Sequence, residues 1–367
     1  MIFGVKDIGH MQEALALAAQ GKYSTSPNPA VGCVIVKDGR VVGKGFHRLA
    51  GEDHAEVLAI KDAGELTKES TAYVTLEPCN HQGRTGPCAD ALISAGISRV
   101  VYACGDANPK VSGNGHQALQ AAGIDTVSGV CEEEAFELNR GYFKRMTEGK
   151  PYVRLKMAMS LDGAMAMSSG ESKWITSDAA RSDGQRLRAS SCAVMTGIGT
   201  VLADDPLLNV REKKLETHGR EVTRIVLDTH LRCSASANIF TVGGQVLIFC
   251  GESFDVKRHA ELTKVAEIEI VKETSGILDL KHILSTCASY GLSNLLIEAG
   301  PTLTRQFIER KLLDELVLYI APKIIGTSGK RAFQISSPET LSKVLGLRFK
   351  SLAPLGDDIV LTLVPNA

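Results

Sequence analysis

The chain has 367 residues, of which 44% are hydrophobic and 23% are charged, and its formal net charge is −1. This length predicts two or three globular domains, each able to bury a core without a disulfide or a metal ion to hold it together. The near-neutral charge argues against long nucleic acids as partners, because proteins that hold them usually carry a basic excess, and it favours a small anionic substrate.

Helices and strands alternate through the first part of the chain, up to about residue 146. Apolar residues at helical spacing, β-branched runs and the turn pair Asp38-Gly39 predict these elements, and their alternation implies a mixed sheet flanked by helices. In chain order we expect a helix over 7–20, a hairpin of 30–36 and 40–45, a helix over 54–64, a strand over 71–76, a helix over 89–95, a strand over 99–103 and a helix over 115–122.

Gly149-Lys150-Pro151 interrupts this pattern, so we place a domain boundary there and expect domains of residues 1–148 and 149–367. The second part is again α/β, with a separate core. Its expected elements are a strand over 152–159, a helix over 178–189, strands over 193–196, 224–228 and 245–250, a helix over 278–289, a strand over 294–298, a helix over 302–311, a strand over 315–320 and a final pair of strands within 346–364.

Nine cysteines are scattered between Cys33 and Cys287. An odd, dispersed set indicates thiols in a reducing compartment and a possible metal site rather than a disulfide framework. The amino terminus has no basic segment followed by an apolar core, as a signal peptide would, and no apolar run reaches the ~18 residues of a transmembrane helix. We therefore expect a cytoplasmic protein with no membrane partner.

The sharpest chemical signal is His54 with Glu56 two residues later, followed by Cys79 and Cys88. One imidazole and two thiolates leave the fourth tetrahedral position open for water, which is typical of a catalytic zinc site. Zinc lowers the pKa of its bound water to about 7, and Glu56, near a helix start, is suited to move the protons. We expect both cysteines to follow a strand and to meet His54 near a helix N-terminus, whose dipole favours thiolates. One Zn²⁺ per chain is predicted.

A closed structural zinc site is the alternative, and it would need a fourth protein ligand. His81 is available, but it lies only two residues from Cys79, an awkward spacing. The two cysteines are nine positions apart, whereas the general nucleobase deaminase signature has only two residues between them.

Longer motifs surround these residues: Pro27–Val36, Gly45–His47, His54–Glu56, Thr75–Thr85, Cys88 and Asp106–Pro109. Together they resemble the cytidine deaminase-like superfamily, and within it the deaminase half of the bifunctional riboflavin-biosynthesis deaminase–reductase family, whose cysteines have this long spacing. The chain departs from that pattern at Gly86, where a second proline is common, and at Ala107, neither of which is an expected ligand. The resemblance implies a substrate pocket lined by Asn28, His47, Arg84, Asp106 and Asn108.

These substrate contacts have simpler alternatives when the residues are taken alone. His47 could equally be a core or surface histidine, and Arg84 a solvated charge. Asn28 lies between two prolines on a stiff loop, and its amide can pair with a pyrimidine edge.

The second half carries a weaker signal. No Gly-x-Gly-x-x-Gly follows a strand there, so a Rossmann dinucleotide site is not expected. The segment 298–302, Glu-Ala-Gly-Pro-Thr, lies between a strand and a helix, where free backbone N–H groups can bind phosphate. An ordinary strand–helix turn would have the same sequence.

Five further motifs lie in this half: Lys156–Gly163, Ser169–Thr176, Thr200–Pro206, Glu298–Leu303 and Tyr319–Lys323. They resemble the reductase half of the same family, which is similar in fold to dihydrofolate reductase and uses NADPH. The two resemblances cover nearly the whole chain in the expected order. They imply a cytidine deaminase-like α/β/α domain followed by a dihydrofolate reductase-like α/β domain.

The resemblance also implies two sets of contacts in the second half. NADPH would be contacted by Ala158, Trp174, Thr200, Asp204, Thr229, Gly300, Pro301, Thr302, Leu303, Thr304, Arg305 and Gln306. The substrate would be contacted by Lys156, Ser172, Arg188, Leu208, Arg211 and Glu298. Two of these are arginines, which suit a ribose 5-phosphate. Core packing is the alternative for Trp174, and for Lys156 the alternative is an edge position with its ammonium in solvent.

These resemblances imply two successive reactions on one pyrimidine ribotide, a hydrolytic deamination and then an NADPH-dependent reduction of the ribosyl group. One alternative is a deaminase of a free nucleoside, a base or tRNA with a non-catalytic second half, although the neutral charge argues against tRNA. Another is a structural zinc joined to an assembly module. Because relatives of the second fold often pair through an edge strand, a homodimer or homotetramer is expected.

Overall fold

The computed structural model describes residues 3–80, 86–109 and 111–366. The chain divides into two compact units, one of Met1–Lys150 with Glu216–Arg220 and the other of Pro151–Leu215 with Glu221–Ala367. Both units combine helices with a sheet, so the expected α/β class is confirmed. Within the described part of the chain, no helix has both the length and the apolar character that crossing a membrane requires.

The first unit is a five-stranded sheet with helices packed on it. Its helices are α1 (Val5–Ala18), α2 (Ala55–Ala63), α3 (Cys88–Ser94), α4 (Asn114–Ala121), α5 (Glu132–Leu138) and α6 (Arg140–Glu148). Its strands are β1 (Gly32–Lys37), β2 (Arg40–Phe46), β3 (Thr71–Leu76), β4 (Arg99–Cys104) and β5 (Asp125–Ser128). The sheet order is β2-β1-β3-β4-β5, with β1 antiparallel to both neighbours and β3, β4 and β5 parallel.

Helix α2 packs unusually close to strand β2, and glycine makes this possible. A Cβ atom at Gly45 would lie 2.6 Å from the backbone nitrogen of Ala59 and closer still to the carbonyl oxygen of Ala55. Gly43 faces Ala63 in the same way. Because strand and helix touch through backbone, β2 sets the position of the first turn of α2, which follows His54 and carries Glu56.

The second unit contains a nine-stranded sheet. Its helices are α7 (Asp178–Ala189), α8 (Ile198–Asp204), α9 (Val256–Leu262), α10 (Leu280–Ser289) and α11 (Pro301–Glu309). Its strands are β6 (Tyr152–Ser160), β7 (Ala164–Ala166), β8 (Ala193–Gly197), β9 (Thr223–Leu227), β10 (Val246–Cys250), β11 (Glu267–Ile270), β12 (Glu273–Thr274), β13 (Ile277–Leu278), β14 (Asn294–Ile297), β15 (Glu315–Ala321), β16 (Lys330–Arg331), β17 (Leu347–Leu355) and β18 (Asp358–Pro365).

The large sheet has the order β11-β10-β9-β8-β14-β6-β15-β18-β17. All pairings from β11 to β15 are parallel, whereas the pairings of β15 with β18 and of β18 with β17, at the carboxyl-terminal edge, are antiparallel. Apolar clusters cover both faces, as a parallel sheet requires. Lys156 lies on β6, inside the sheet, so the alternative of an edge position is wrong.

Most predicted boundaries are correct within two residues, and the differences have local causes. The helix expected over 278–289 begins at Leu280, because the Asp279 side chain accepts hydrogen bonds from the backbone N–H groups of Lys281 and His282 and caps it there. The helix expected over 302–311 ends at Glu309, and Lys311 has a left-handed φ of 54°. Sequence patterns did not predict β5, α5, α6, α8, α9 and β11, or the short strands β7, β12, β13 and β16.

Candidate functional sites

The first unit brings together one imidazole and two thiols. His54 precedes α2 as its N-cap residue, Cys79 follows β3, and Cys88 is the first residue of α3. The Nδ1 atom of His54 lies 3.1 Å from Sγ of Cys88 and 3.6 Å from Sγ of Cys79. The expectation that both cysteines follow a strand therefore holds only for Cys79, since Cys88 begins a helix. Two helix N-termini meet at this point.

The three atoms fit a tetrahedral zinc ion. Zinc bonded at about 2.0 Å to nitrogen and about 2.3 Å to sulfur places these ligands about 3.6 Å apart. All three candidate atoms lie within 4.8 Å of one another, and among the described residues no fourth such side chain joins the group. His81, the alternative fourth ligand, lies outside the described residues. An N, S, S donor set with a remaining position suits catalysis.

The pKa values of the two thiols are shifted in opposite directions. A hydrogen bond from Cys88 lowers the pKa of Cys79 to about 4, and a further one from His54 acts in the same direction. The same hydrogen bond, with burial, raises the pKa of Cys88 far above its usual range. The bond to Cys79 also raises the pKa of His54. The two sulfurs thus share a hydrogen bond in which Cys88 donates and Cys79 accepts.

Glu56 is the second residue of α2 and is only 3% exposed. Its burial, together with the nearby charge of Cys79, raises the pKa of the Glu56 carboxyl to about 7. The expected location of Glu56 near a helix start is correct. The carboxyl is thus held beside the metal-site residues and away from bulk water.

His47 and Asn28 form one hydrogen-bonded pair beside this centre. The Nε2 atom of His47 lies 3.0 Å from the side-chain nitrogen of Asn28, and its Nδ1 atom lies 3.2 Å from the carbonyl oxygen of Asp53. The His47 ring is 5.2 Å from the His54 ring, centroid to centroid. Burial lowers the pKa of His47, so a neutral ring accepts from Asn28 and donates to Asp53. His47 is buried, but next to the metal-site residues rather than in the apolar core.

Asp106 and Asn108 lie on the loop after β4. The Asp106 carboxylate accepts hydrogen bonds from the Tyr142 hydroxyl and from the backbone N–H of Asn108, each at 2.8 Å. Burial raises the pKa of Asp106, and the Cys79 charge contributes to this. The loop thus approaches the metal-site residues. Arg84, the remaining expected substrate contact, lies outside the described residues.

Glu77 organises this loop, a role that was not predicted from the sequence. One of its carboxylate oxygens accepts from the backbone N–H groups of Asp106 and Gly113, at 3.2 and 3.1 Å. The other accepts from the N–H of His116 at 3.2 Å. Glu77 is buried, two residues before Cys79. Its partners lie 29 to 39 residues later in the chain, so no local pattern reveals this function.

The second unit contains a cavity of about 490 Å³. Its walls come from the carboxyl ends of β8, β9 and β14 and from the first turn of α11, where Gly300 is the N-cap residue and Pro301 the first helical residue. Eight of the expected cofactor contacts line it: Thr200, Asp204, Thr229, Gly300, Pro301, Thr302, Leu303 and Gln306. Ser172, an expected substrate contact, lines it too. This is the crevice in which parallel α/β sheets commonly bind ligands.

Four expected cofactor contacts are not among the lining residues: Ala158, Trp174, Thr304 and Arg305. Thr304 is buried, with its hydroxyl 3.5 Å from the carbonyl oxygen of Ala299. Arg305 lies 3.8 Å from Glu309. Trp174 is 63% exposed, with the Arg181 guanidinium 4.5 Å from its ring centroid. The alternative of core packing for Trp174 is therefore wrong.

A charged cluster lies just beyond the end of β14. Arg188 donates two hydrogen bonds to Glu298, at 2.6 and 3.0 Å, and a third to the backbone oxygen of Asn209. Lys156 lies 3.9 Å from the same carboxylate. Burial acts to raise the pKa of Glu298, but Arg188 and Lys156 outweigh it and lower this pKa to about 2.

Arg211 extends this cluster. Its pKa is lowered by burial and by the neighbouring charge of Arg188. The backbone N–H of Arg211 donates to the Gln185 side chain at 2.7 Å. Leu208, another expected substrate contact, is buried in the same segment, with a φ of 50°. Three cations therefore surround the single carboxylate of Glu298, and their excess positive charge suits an anionic group.

The two units match different family models. Residues 5–104 match the cytidine and deoxycytidylate deaminase zinc-binding region, and residues 151–361 match the RibD C-terminal domain. The riboflavin biosynthesis protein RibD of Escherichia coli is 44% identical over 369 residues, which cover 98% of this chain and 100% of that protein. The corresponding protein of Haemophilus influenzae is 42% identical, with 99% of each covered.

Two solved structures match nearly the whole of this chain. Acinetobacter baumannii RibD has a TM-score of 0.92 and 45% identity, with 99% of each chain covered. A Thermotoga maritima protein described as a diaminohydroxyphosphoribosylaminopyrimidine deaminase/5-amino-6-(5-phosphoribosylamino)uracil reductase has a TM-score of 0.86 and 32% identity, with 98% of this chain and 99% of that chain covered. The chain therefore belongs to the RibD family of riboflavin biosynthesis proteins.

Proposed function

We propose that this chain is a bifunctional enzyme of riboflavin biosynthesis, with a deaminase domain in residues 1–148 and a reductase domain in residues 149–367. The first domain deaminates 2,5-diamino-6-ribosylamino-4(3H)-pyrimidinone 5′-phosphate to 5-amino-6-(5-phosphoribosylamino)uracil. The second reduces the ribosyl group of that product with NADPH to give 5-amino-6-(5-phosphoribitylamino)uracil. The convergence of His54, Cys79 and Cys88 beside the buried Glu56 is the observation that carries the proposal.

In the deaminase domain, His54, Cys79 and Cys88 hold one zinc ion per chain. Bound zinc supplies a water that ionises near neutral pH. Glu56 would accept one proton from the attacking water and pass it to the ring nitrogen, and then carry the second proton, from the hydroxyl added to the ring carbon, to the departing amine, so that one water is consumed and ammonia leaves. Its burial beside the metal-site residues supports this role, because a general acid–base must lie within reach of the proton it moves.

Residues around this centre bind the pyrimidine. The Asn28 amide pairs with the polar edge of the ring, and His47 keeps Asn28 oriented through the hydrogen bond between them. Asp106, Asn108 and Arg84 complete the substrate pocket. The loop that carries Asp106 and Asn108 is held by Glu77, which supports a fixed geometry for the bound ribotide.

In the reductase domain, the cavity beside α11 binds NADPH. NADPH supplies the hydride that reduces C1′ of the opened ribosyl group, and the protein's part is to position the two reactants. The backbone N–H groups at the start of α11 suit the pyrophosphate. Lys156, Arg188 and Arg211 bind the 5-phosphate of the substrate, which their excess positive charge supports, and Ser172, Leu208 and Glu298 complete this site. Cofactor contacts at Ala158, Trp174, Thr304 and Arg305 lie outside the lining of the cavity and stay predictions.

A coupled assay on the diaminopyrimidine ribotide with NADPH, together with metal analysis, tests this proposal. We expect Glu56→Gln to abolish ammonia release while NADPH oxidation on the deaminated ribotide continues. Glu65→Gln, which changes an exposed carboxyl beyond the end of α2, is the matched control and should leave both activities unchanged. Ammonia release by Glu56→Gln would contradict the proposed proton-transfer role of Glu56. Release of ammonia from cytidine or guanine, but not from the ribotide, would contradict the proposed substrate.

We also propose a cytoplasmic homodimer or homotetramer that binds neither nucleic acid nor membranes. All nine cysteines carry thiols, which suits a reducing compartment. Strand β17 lies at the edge of the large sheet with most of its side chains exposed, among them Phe349 and Leu352. Such an edge is a template for pairing with a second copy. Sedimentation of Phe349→Asp/Leu352→Asp beside the unchanged protein tests whether assembly uses this edge.

A further inference from the structure

Two cationic side chains outside the expected cofactor and substrate contacts, Arg232 and Lys330, line the cavity of the second unit. They lie against different walls. Lys330 pairs with Ala166 across the β7–β16 ladder. Its Nζ atom is 3.3 Å from the point that a Cβ atom would occupy if Gly170 had a side chain. It therefore belongs to the wall that also carries Ser172. Arg232 follows β9, near Thr229.

The turn after β9 fixes the position of Arg232. The buried Asp228 carboxylate accepts the backbone N–H of Cys233 at 2.7 Å, and the Asp228 carbonyl accepts the N–H of Leu231 at 3.1 Å. The Nε atom of Arg232 is 4.0 Å from the Asp228 carboxylate, and the Arg232 side chain is 56% exposed. This contact is longer than a hydrogen bond, so the guanidinium retains donors for a ligand at the cavity wall.

The strand order places Arg232 far from the substrate cluster. Glu298 follows β14 and Lys156 lies on β6, whereas Arg232 follows β9, and these strands occur in the order β9-β8-β14-β6. Neighbouring strands are about 4.8 Å apart, so the β9 end lies roughly 10 Å from β14 and roughly 14 Å from β6. A dinucleotide with its reactive ring at the substrate and its pyrophosphate at α11 therefore has its adenosine ribose near β9.

We propose that Arg232 binds a phosphate on the 2′-oxygen of that ribose, and that it sets the preference for a 2′-phosphorylated nicotinamide dinucleotide over the unphosphorylated one. This inference rests on the proposed reductase function. A guanidinium offers paired N–H donors that match phosphate oxygens. Asp204, the single carboxylate among the lining residues, suits a ribose hydroxyl rather than a phosphate.

Titrations of the full-length protein with NADPH and NADH, followed by nicotinamide fluorescence, test the proposal. We expect Arg232→Gln to raise the Kd for NADPH roughly 10- to 100-fold, because a charge-assisted hydrogen bond is lost, and to leave the Kd for NADH unchanged. Arg232→Lys keeps the charge and should give an intermediate Kd for NADPH. Arg310→Gln changes an exposed arginine outside the cavity lining and should bind both dinucleotides like the unchanged protein.

Adenosine 2′,5′-bisphosphate and adenosine 5′-monophosphate provide a second measurement, as competitors for bound NADPH. The bisphosphate should compete better with the unchanged protein and lose that advantage with Arg232→Gln. Equal weakening of both dinucleotides by Arg232→Gln, or loss of discrimination in Lys330→Gln instead, overturns the inference and leaves the reductase function intact. Failure of the unchanged protein to bind either dinucleotide overturns the reductase function itself.

Discussion

The buried Glu77 carboxylate shows how a residue without a chemical role can control a site. Its two oxygens accept three backbone N–H groups from the segment between Asp106 and His116. A glutamine at this position has only one accepting oxygen, so at least one of these N–H groups loses its partner. The loop carrying Asp106 and Asn108 then moves relative to the metal-site residues.

For Glu77→Gln we predict that kcat/KM for ammonia release falls roughly 10- to 100-fold, because small displacements of positioning groups have effects of this size. The rise in KM should exceed the fall in kcat, since the expected substrate contacts move and Glu56 does not. Zinc content and NADPH oxidation on the deaminated ribotide should match the unchanged protein. Loss of zinc from the variant, or an unchanged KM, would contradict a positioning role.

The ion pair of Glu298 and Arg188 makes the stability of the second unit depend on pH. Arg188 and Lys156 hold the pKa of Glu298 at about 2, below its ordinary value of 4.5. A carboxyl whose pKa is lowered by folding stabilises the native state above its ordinary pKa, and this contribution is lost as the pH falls toward the lowered value. Glu298→Gln leaves Arg188 without its charged partner at a site where the Glu298 side chain is 13% exposed.

We therefore predict that Glu298→Gln lowers the free energy of unfolding at pH 7 by about 3 kcal/mol, as for other buried ion pairs that lose one partner. The difference from the unchanged protein should be constant from pH 7 down to about pH 5 and shrink between there and about pH 2, where Glu298 takes up a proton in the unfolded chain but stays ionised in the native protein. Urea unfolding at pH 7, 5 and 3 measures this. A difference that grows on acidification would show that the pair does not lower the pKa of Glu298.

At the scale of elements, the approach of α2 to β2 controls the metal site. Because Gly45 has no side chain, β2 can approach the start of α2, where His54 and Glu56 lie. In Gly45→Ala the added methyl group meets backbone atoms, which cannot move aside as a flexible side chain would. The start of α2 must then shift, and with it the imidazole of His54.

We predict that Gly45→Ala lowers both zinc content and ammonia release, whereas NADPH oxidation in the second unit is unaffected. Gly9→Ala is the matched control, because Gly9 is an exposed position of α1 with nothing within 4 Å of an added Cβ. That control should retain zinc, and helix propensity alone should make it more stable by up to about 1 kcal/mol. Full zinc content in Gly45→Ala would show that the helix can accommodate the methyl group.

Local sequence signals explain which elements could be predicted. Strand β3 has the predicted bounds because Thr71–Leu76 is a buried, β-branched run, and α7 does because Ser177 caps its start. Strands β5 and β11 were missed because they are short, polar and partly exposed, so their place comes from pairing with a neighbouring strand rather than from their own pattern.

The same distinction applies to the candidate sites. The candidate zinc ligands and the proton-transfer residue could be predicted because short sequence motifs identify them: His54, Cys79, Cys88 and Glu56. Arg232 could not, because a lone arginine gives no signal until the sheet places it on the wall of the cavity. Burial, distances and partners far apart in the sequence appear only once the chain is folded.

At the scale of the whole molecule, each unit has its own apolar core. In the first unit this core is built from the sheet and its helices, and it includes Val34, Val74, Val100 and Leu119. Of the candidate metal ligands, His54 and Cys79 are only partly buried, and none of the three belongs to this cluster. Burial of this many apolar side chains supplies the main stabilisation of a domain, so we expect the first unit to stay folded without a metal ion.

We therefore predict that removing the metal with a chelator stops ammonia release but leaves the far-ultraviolet circular dichroism of the full-length protein and its NADPH oxidation on the deaminated ribotide unchanged. Adding Zn²⁺ back should restore ammonia release without a refolding step. A structural metal would behave differently, because its removal unfolds the domain that it holds together. Loss of helical signal on chelation, or loss of both activities together, would contradict the catalytic role of the site.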